Sequence, residues 1–223
     1  MTDLGVRQDF TILQRERAFA YLDSASTALV PTNVAHEVFQ FLDTVTVSSR
    51  RGAYSLAVKG NEIVEQTRTE VAKLVNALPQ EISFQPTIAH CLTSLLFGSG
   101  WRSEARNKVV VVQGVTNDIM GPLYAAAKVM GLEIHVIPVI QHSSSQLLED
   151  VAAAIDDKTA LVVSSCAPVV VGTVLPVNEI GRIAHDNDVL VAVDATRAIG
   201  LDFFDVRTTG ADIVSVSYTH LTL

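Results

Sequence analysis

From Lys108 onward, short unbroken apolar runs alternate with segments of helical periodicity. The first run is Val109-Val110-Val111-Val112. Apolar residues at every position, rather than at every second one, mark a strand buried on both faces. Ile119 to Met130 then carries helical spacing, and Gly131 ends it. Glu133 to Val136 reads as a strand, Leu147 to Ile155 as a helix and Ala160-Leu161-Val162-Val163 as a strand. Val177 to His185 is a helix, Val189-Leu190-Val191-Ala192-Val193 a strand, and Asp212 to Val216 one more. This alternation requires crossover connections, which predicts an α/β fold: a mostly parallel sheet with helices on both faces.

The first hundred residues lack that beat. Leu22 to Thr27 is a small-residue loop leading to Pro31, after which Val34, Val38, Phe41, Leu42 and Val45 recur at helical spacing. Ser48 to Tyr54 is a loop containing Arg50-Arg51-Gly52. Ile63, Val64, Thr67, Val71, Leu74 and Val75 mark a second helix, with Pro79 as its stop. Glu81 to Phe84 is a short strand candidate, and Ile88 to Phe97 a helix ended by Gly98 and Gly100.

With 48% apolar and only 18% charged residues in 223, the chain can bury a large core and is not a disordered tail. A net charge of −8 argues against a nucleic-acid partner, which needs a basic face. The uncharged stretch Thr159 to Val177 contains Ser164, Ser165, Pro168, Gly172 and Pro176, so it reads as a strand and loop, not a membrane span. Met1 to Glu16 has no apolar signal core. Cys91 and Cys166 form neither a Cys-x-x-Cys pair nor a disulfide framework, and a reducing, cytoplasmic setting is expected.

There is no Gly-x-Gly-x-x-Gly, Walker loop, Gly-x-Ser-x-Gly or His-Glu-x-x-His. His185 near Asp186 and Asp188 reads as a solvated helix end, and no metal is expected. Asp194 is more informative, because it follows five apolar residues at the carboxyl end of a parallel strand, the edge where α/β sheets bind ligands. A carboxylate there can hold a proton on a heterocyclic nitrogen, or it can simply cap the turn Ala195-Thr196-Arg197. Phe84-Gln85-Pro86-Thr87-Ile88-Ala89 leads into a helix N-terminus, a place for phosphate or for an ordinary N-cap at Thr87.

Four blocks together resemble the class V aminotransferases, a family of pyridoxal 5′-phosphate (PLP) enzymes that includes cysteine desulfurases and selenocysteine lyases. Tyr21-Leu22-Asp23-Ser24-Ala25-Ser26-Thr27 resembles Y-L-D-N/S-A-A-T, and Arg51-Gly52-Ala53-Tyr54 resembles R-G-x-H/Y. Glu81-Ile82-Ser83-Phe84 with Thr87 resembles the strand before a G-T-T phosphate turn. Gly172 to Val177 and Val193-Asp194-Ala195-Thr196-Arg197-Ala198-Ile199-Gly200 resemble G-x-x-x-P-V and V-D-G-A-Q-A-x-G. The resemblance implies the large domain of a fold-type-I PLP transferase. It implies that Asp194 pairs with the ring nitrogen, that Arg197 stands for a glutamine at the phenolic oxygen, and that Thr87, Ile88 and Ala89 cradle phosphate. Thr116 stands where desulfurases place a stacking histidine, Val169 where many members carry asparagine, and Ser217 within the S-x-x-K-type segment. Ser24, Ala25 and Arg51 are candidates for a substrate-facing rim.

The family holds PLP as a Schiff base on a lysine just after the strand at Asp212 to Val216. Ser217-Tyr218-Thr219-His220-Leu221 contains no lysine, and His220 cannot take its place. The expectation is therefore an N-terminal fragment. Residues 1–216 supply an N-terminal segment and most of the large domain, residues 217–223 a non-native tail, and the C-terminal small domain is missing. The parent is expected to transaminate a small amino acid, or to eliminate from one, as a homodimer. PLP is the expected cofactor of the parent, and the 223-residue chain is expected to bind it weakly or not at all and to be inactive. The alternative is a degenerate, non-catalytic member serving as a binding or partner subunit.

Overall fold

Five parallel strands form the centre: β1 (Lys108–Val112), β2 (Glu133–Ile137), β3 (Thr159–Ser165), β4 (Leu190–Asp194) and β5 (Ile213–Ser215), in the spatial order β2-β1-β3-β4-β5. The computed structural model describes residues 6–16, 19–98, 105–140, 143–169, 171–200 and 204–217. Among them, one unit runs to Leu74 and takes in Leu78–Ile82, and a second comprises Val75–Ala77 and Ser83–Ser217.

The second unit holds the sheet. Every residue of β1 and β3 is buried, as their unbroken apolar runs require. On one face α4 (Ile88–Gly98) and α5 (Asn117–Met130) set Leu92, Leu96, Ile119, Leu123 and Ala126 against Val109, Val111, Leu161, Val163 and Ala192. On the other, α6 (Ser144–Ala154) packs on β1 and β2, and α7 (Val177–His185) on β3 and β4. Leu147, Val151, Ile180 and Ala184 are the buried side chains of those two helices. The expected parallel sheet covered on both faces is present, and each predicted strand from 109 onward appears. Alanine at position 181 would put its Cβ 2.6 Å from the Gly210 carbonyl oxygen, so α7 can lie this close to the 206–210 turn only with glycine there.

At the amino edge of the sheet, Lys108 is buried and its Nζ donates to the Ala154 carbonyl at 2.7 Å and to Asp156 Oδ2 at 2.9 Å. That hydrogen bond, first among its causes, holds the Asp156 carboxyl below its ordinary value. At the same edge Asp212 Oδ2 accepts from the Val191 N–H at 2.8 Å and lies 3.0 Å from His185 Nε2.

The first unit holds α1 (Thr11–Arg15), α2 (Thr32–Thr44) and α3 (Ser55–Leu74). The Thr11 N–H donates to Thr32 Oγ1 at 3.2 Å, linking α1 to α2. Tyr21 closes the Asp23–Thr27 loop by donating to the Thr27 carbonyl at 2.7 Å. Two expectations are corrected here. The helix predicted from Ile63 begins at Ser55, because its early buried positions, Ala57 and Gly60, are small and leave no hydrophobic pattern. The strand predicted over Glu81 to Phe84 is absent: Pro79–Glu81 is a 3-10 turn, with the Leu78 N–H donating to Glu81 Oε2 at 2.7 Å. Ile82 is extended, but its carbonyl accepts from the Arg68 guanidinium instead of a neighbouring strand.

Candidate functional site at the carboxyl edge of the sheet

The register of β3, β4 and β5 places Ser165, Asp194 and Ser215 side by side in one row. Below that row the interior strand β4 is Leu190-Val191-Ala192-Val193, so the chain changes from apolar to ionisable in a single step as it leaves the core. Asp194 is 3% exposed. Its backbone is held on both sides: Cys166 N–H donates to the Asp194 carbonyl at 2.9 Å, and Ala195 N–H to the Ser215 carbonyl at 2.9 Å. One carboxylate oxygen, Oδ1, accepts from the Thr196 N–H at 3.0 Å. The turn-capping geometry expected of this residue is therefore present.

Asp194 and Ser215 border a small cavity of about 20 Å³, otherwise lined by apolar side chains including Ile88 and Cys91 of α4, Ile119 of α5 and Val163 of β3. That space suits about one water, so it is a gap in the packing beside the carboxylate, too small for an aromatic ring. Burial, and then the charge of Asp194, push the Cys166 thiol up to about 12. Cys166 is thus a neutral, apolar neighbour of the carboxylate. Burial likewise raises Cys91.

Thr87, Ile88 and Ala89 open α4. Thr87 Oγ1 accepts from the His90 N–H at 3.2 Å, the ordinary N-cap, and lies 2.9 Å from His90 Nδ1. The first-turn N–H groups of Ile88 and Ala89 have no intrahelical acceptor, as at any helix start. Thr116 precedes α5 with extended backbone (φ −75°, ψ 165°), yet its hydroxyl caps nothing. Oγ1 of Thr116 is buried and has no hydrogen-bond partner among the described residues. In the loop just before it, a Cβ on Gly114 would lie 2.6 Å from Pro168 Cβ, so the loops after β1 and β3 touch. That contact lies where the strand order reverses, the usual ligand crevice of such sheets.

Arg197 is half-buried in the turn after β4. Ser217 donates its backbone N–H to Thr196 Oγ1 at 3.1 Å. Asp194, Thr196 and Ser217 thus form one connected corner, and Ile88 and the first turn of α5 meet Asp194 round the cavity. Val169 is exposed. Ser24, Ala25 and Arg51 are exposed in the first unit. His220 lies outside the described residues. Among the described residues no cluster of His, Cys, Asp and Glu could hold a metal, and no helix is long and apolar enough to cross a membrane.

The reading of the sequence missed the Thr196 hydroxyl, Cys91 and Cys166. Cys91 had a signal, since it lies three residues after Ile88 on one helix face. The Thr196 hydroxyl had none, because its role depends on a contact across 21 residues.

PLP needs an acceptor at the protonated ring nitrogen, donors at the phosphate and a surface against the ring. Asp194 fits the first, the start of α4 fits the second, and the orphaned Thr116 hydroxyl is a polar atom still lacking a partner. Threonine offers no aromatic face. All five lysines, at 59, 73, 108, 128 and 158, precede β4. Lys108 lies at the opposite edge of the sheet from Asp194.

The family model "Aminotransferase class-V" matches residues 20–220. A "Probable cysteine desulfurase" of Methanothermobacter thermautotrophicus is 31% identical over 212 residues, covering 94% of this chain and 51% of that protein. A cysteine desulfurase of Cronobacter sakazakii is 28% identical, covering 93% of this chain and 52% of that one. The apo cysteine desulfurase of Thermococcus onnurineus NA1 superposes with a TM-score of 0.82 at 24% identity, over 96% of this chain and 52% of that structure. Escherichia coli CsdA gives 0.84 at 20% identity, over 100% and 55%. At these identities the two structures speak for the fold alone. The chain spans about half the length of the curated relatives it matches.

Proposed function

Because the chain belongs to the aminotransferase class-V family, we propose that the carboxyl edge of its sheet is a PLP site, and that the whole protein transaminates a small amino acid or eliminates from it. The buried carboxylate of Asp194, at the end of an interior parallel strand, carries this reading. When bound, PLP supplies an electron sink beside the substrate amine. Asp194 holds the proton on the ring nitrogen. The N–H groups of Ile88 and Ala89, assisted by the α4 dipole, bind phosphate. Arg197 donates to the phenolic oxygen, Thr116 offers its unpartnered hydroxyl, and Ser217 lies where the chain re-enters the site. The relatives' names point to cysteine among small amino acids. Thr116 cannot stack on a ring, so the reading stays at the substrate class. A homodimer of the whole protein belongs to the same reading. With no lysine after Lys158, these 223 residues bind the cofactor at most weakly, without covalent capture at this edge or turnover.

The test uses pyridoxamine 5′-phosphate, which keeps the ring nitrogen and phosphate but has no aldehyde to react with surface lysines. Calorimetric titration should show saturable binding. Asp194→Asn should weaken it about 10- to 100-fold, the range of a charge-assisted hydrogen bond. Equal affinity in the variant removes Asp194 from the site. No binding by the unmodified chain leaves the non-catalytic partner subunit as the better account.

A further inference from the structure

We propose that Thr196 is a positioning residue that ties the orientation of the Asp194 carboxylate to the segment leaving β5. This rests on the reading of Asp194 as the ring-nitrogen partner, and it adds a control over that partner. Thr196 is 4% exposed and is used twice. Its N–H donates to Asp194 Oδ1 at 3.0 Å, and its Oγ1 accepts from the backbone N–H of residue 217 at 3.1 Å. Between the two bonds, Ala195 N–H donates to the Ser215 carbonyl at 2.9 Å. The peptide that aims the carboxylate is therefore anchored through a side chain to residue 217, two positions after the end of β5. Because the residue 217 N–H donates to a side-chain hydroxyl at 196 and not to a backbone carbonyl, residue identity at 196 decides whether the link exists. Losing it removes the side-chain acceptor of a half-buried N–H and frees the 195–197 turn to shift. Affinity for a cationic ring nitrogen then follows the conformation of the chain beyond β5.

The experiment compares the unmodified chain with Thr196→Val and Thr196→Ser. Valine keeps the β-branched shape but removes the acceptor, whereas serine keeps the hydroxyl. Amide hydrogen exchange at positions 196 and 217 reads the two bonds, and exchange at Val110 and Val162 reports whether the sheet is intact. Titration with pyridoxamine 5′-phosphate reads the consequence. Thr196→Val should lower protection at both 217 and 196 and weaken binding about fivefold, the worth of one hydrogen bond. Thr196→Ser should restore all three. The proposal is overturned if valine changes residue 217 but leaves residue 196 and the affinity untouched, if serine does not rescue, or if Val110 and Val162 lose protection in parallel. If the unmodified chain does not bind the ligand, the proposed function fails separately. Protection at 196 then decides: a fall together with 217 supports the link, and no change overturns it.

Discussion

The two units bury their apolar residues very differently. In the sheet unit, Val109 to Val112 and Leu161 to Val162 are wholly inaccessible. In the helical unit, α2 has the apolar spacing of an amphipathic helix but buries none of its side chains, and Val38, Phe39 and Leu42 stand 55%, 63% and 62% exposed. Periodicity identified α2 as readily as the helices that cover the sheet. It tells which face of a helix is apolar, and says nothing of what covers that face. In a parallel sheet the unbroken run itself reports burial, because no face is left for water.

That contrast can be broken by substitution. Leu161→Ala should cost about 2–5 kcal/mol, since its surroundings cannot collapse around the lost methyls. Leu42→Ala should stay within about 0.5 kcal/mol. Urea unfolding of both variants measures the difference, and comparable losses would mean that α2 is buried in solution. Glycine replacements sharpen it next. Gly181→Ala meets the Gly210 backbone at 2.6 Å and should cost about 1–3 kcal/mol, because backbone cannot swing aside. Gly60→Ala meets only the Val47 Cγ2 tip at 2.9 Å and should cost less, by the same unfolding assay.

The smallest effect is electrostatic, and here the two units should agree. Asp156 is held below its ordinary value chiefly by Lys108, and Glu65 by Arg50 and then Arg68. A carboxyl lowered in the folded state stabilises it above the unfolded value, near about pH 4, and that stability is lost as pH falls through the folded value. Asp156→Asn and Glu65→Gln should each flatten the acid side of the stability curve below about pH 4. Both carboxylates are solvent-exposed, so the changes will be slight and reduced by salt. A variant with an unchanged acid limb would separate that carboxylate from its basic partner.

The sheet was legible because each cause is local. The apolar run at 109–112, the glycine at 131 and the segment Val177 to His185 each carry their own boundary. Asp194 was legible for the same reason: a charge directly after five apolar residues must sit where the core ends. The start of α3 was hidden because small residues bury without a hydrophobic signal, and Ile82 was misread because Arg68, not a strand, takes its carbonyl. The Thr196 link and the orphaned Thr116 hydroxyl depend on positions brought together only by folding. No spacing rule reaches them.

The row Ser165, Asp194 and Ser215 divides the protein by the kind of change it tolerates. Substitutions in the tiers below the row fall on packed residues such as Val163, Ala192 and Val193 and decide whether the chain folds at all. Substitutions one tier above fall on the turns around Cys166, Thr196 and residue 217 and decide what the edge can hold. The scaffold and the chemistry at its edge can therefore diverge at separate rates, and a chain can keep a fully formed sheet long after the residues above that row have changed their occupation.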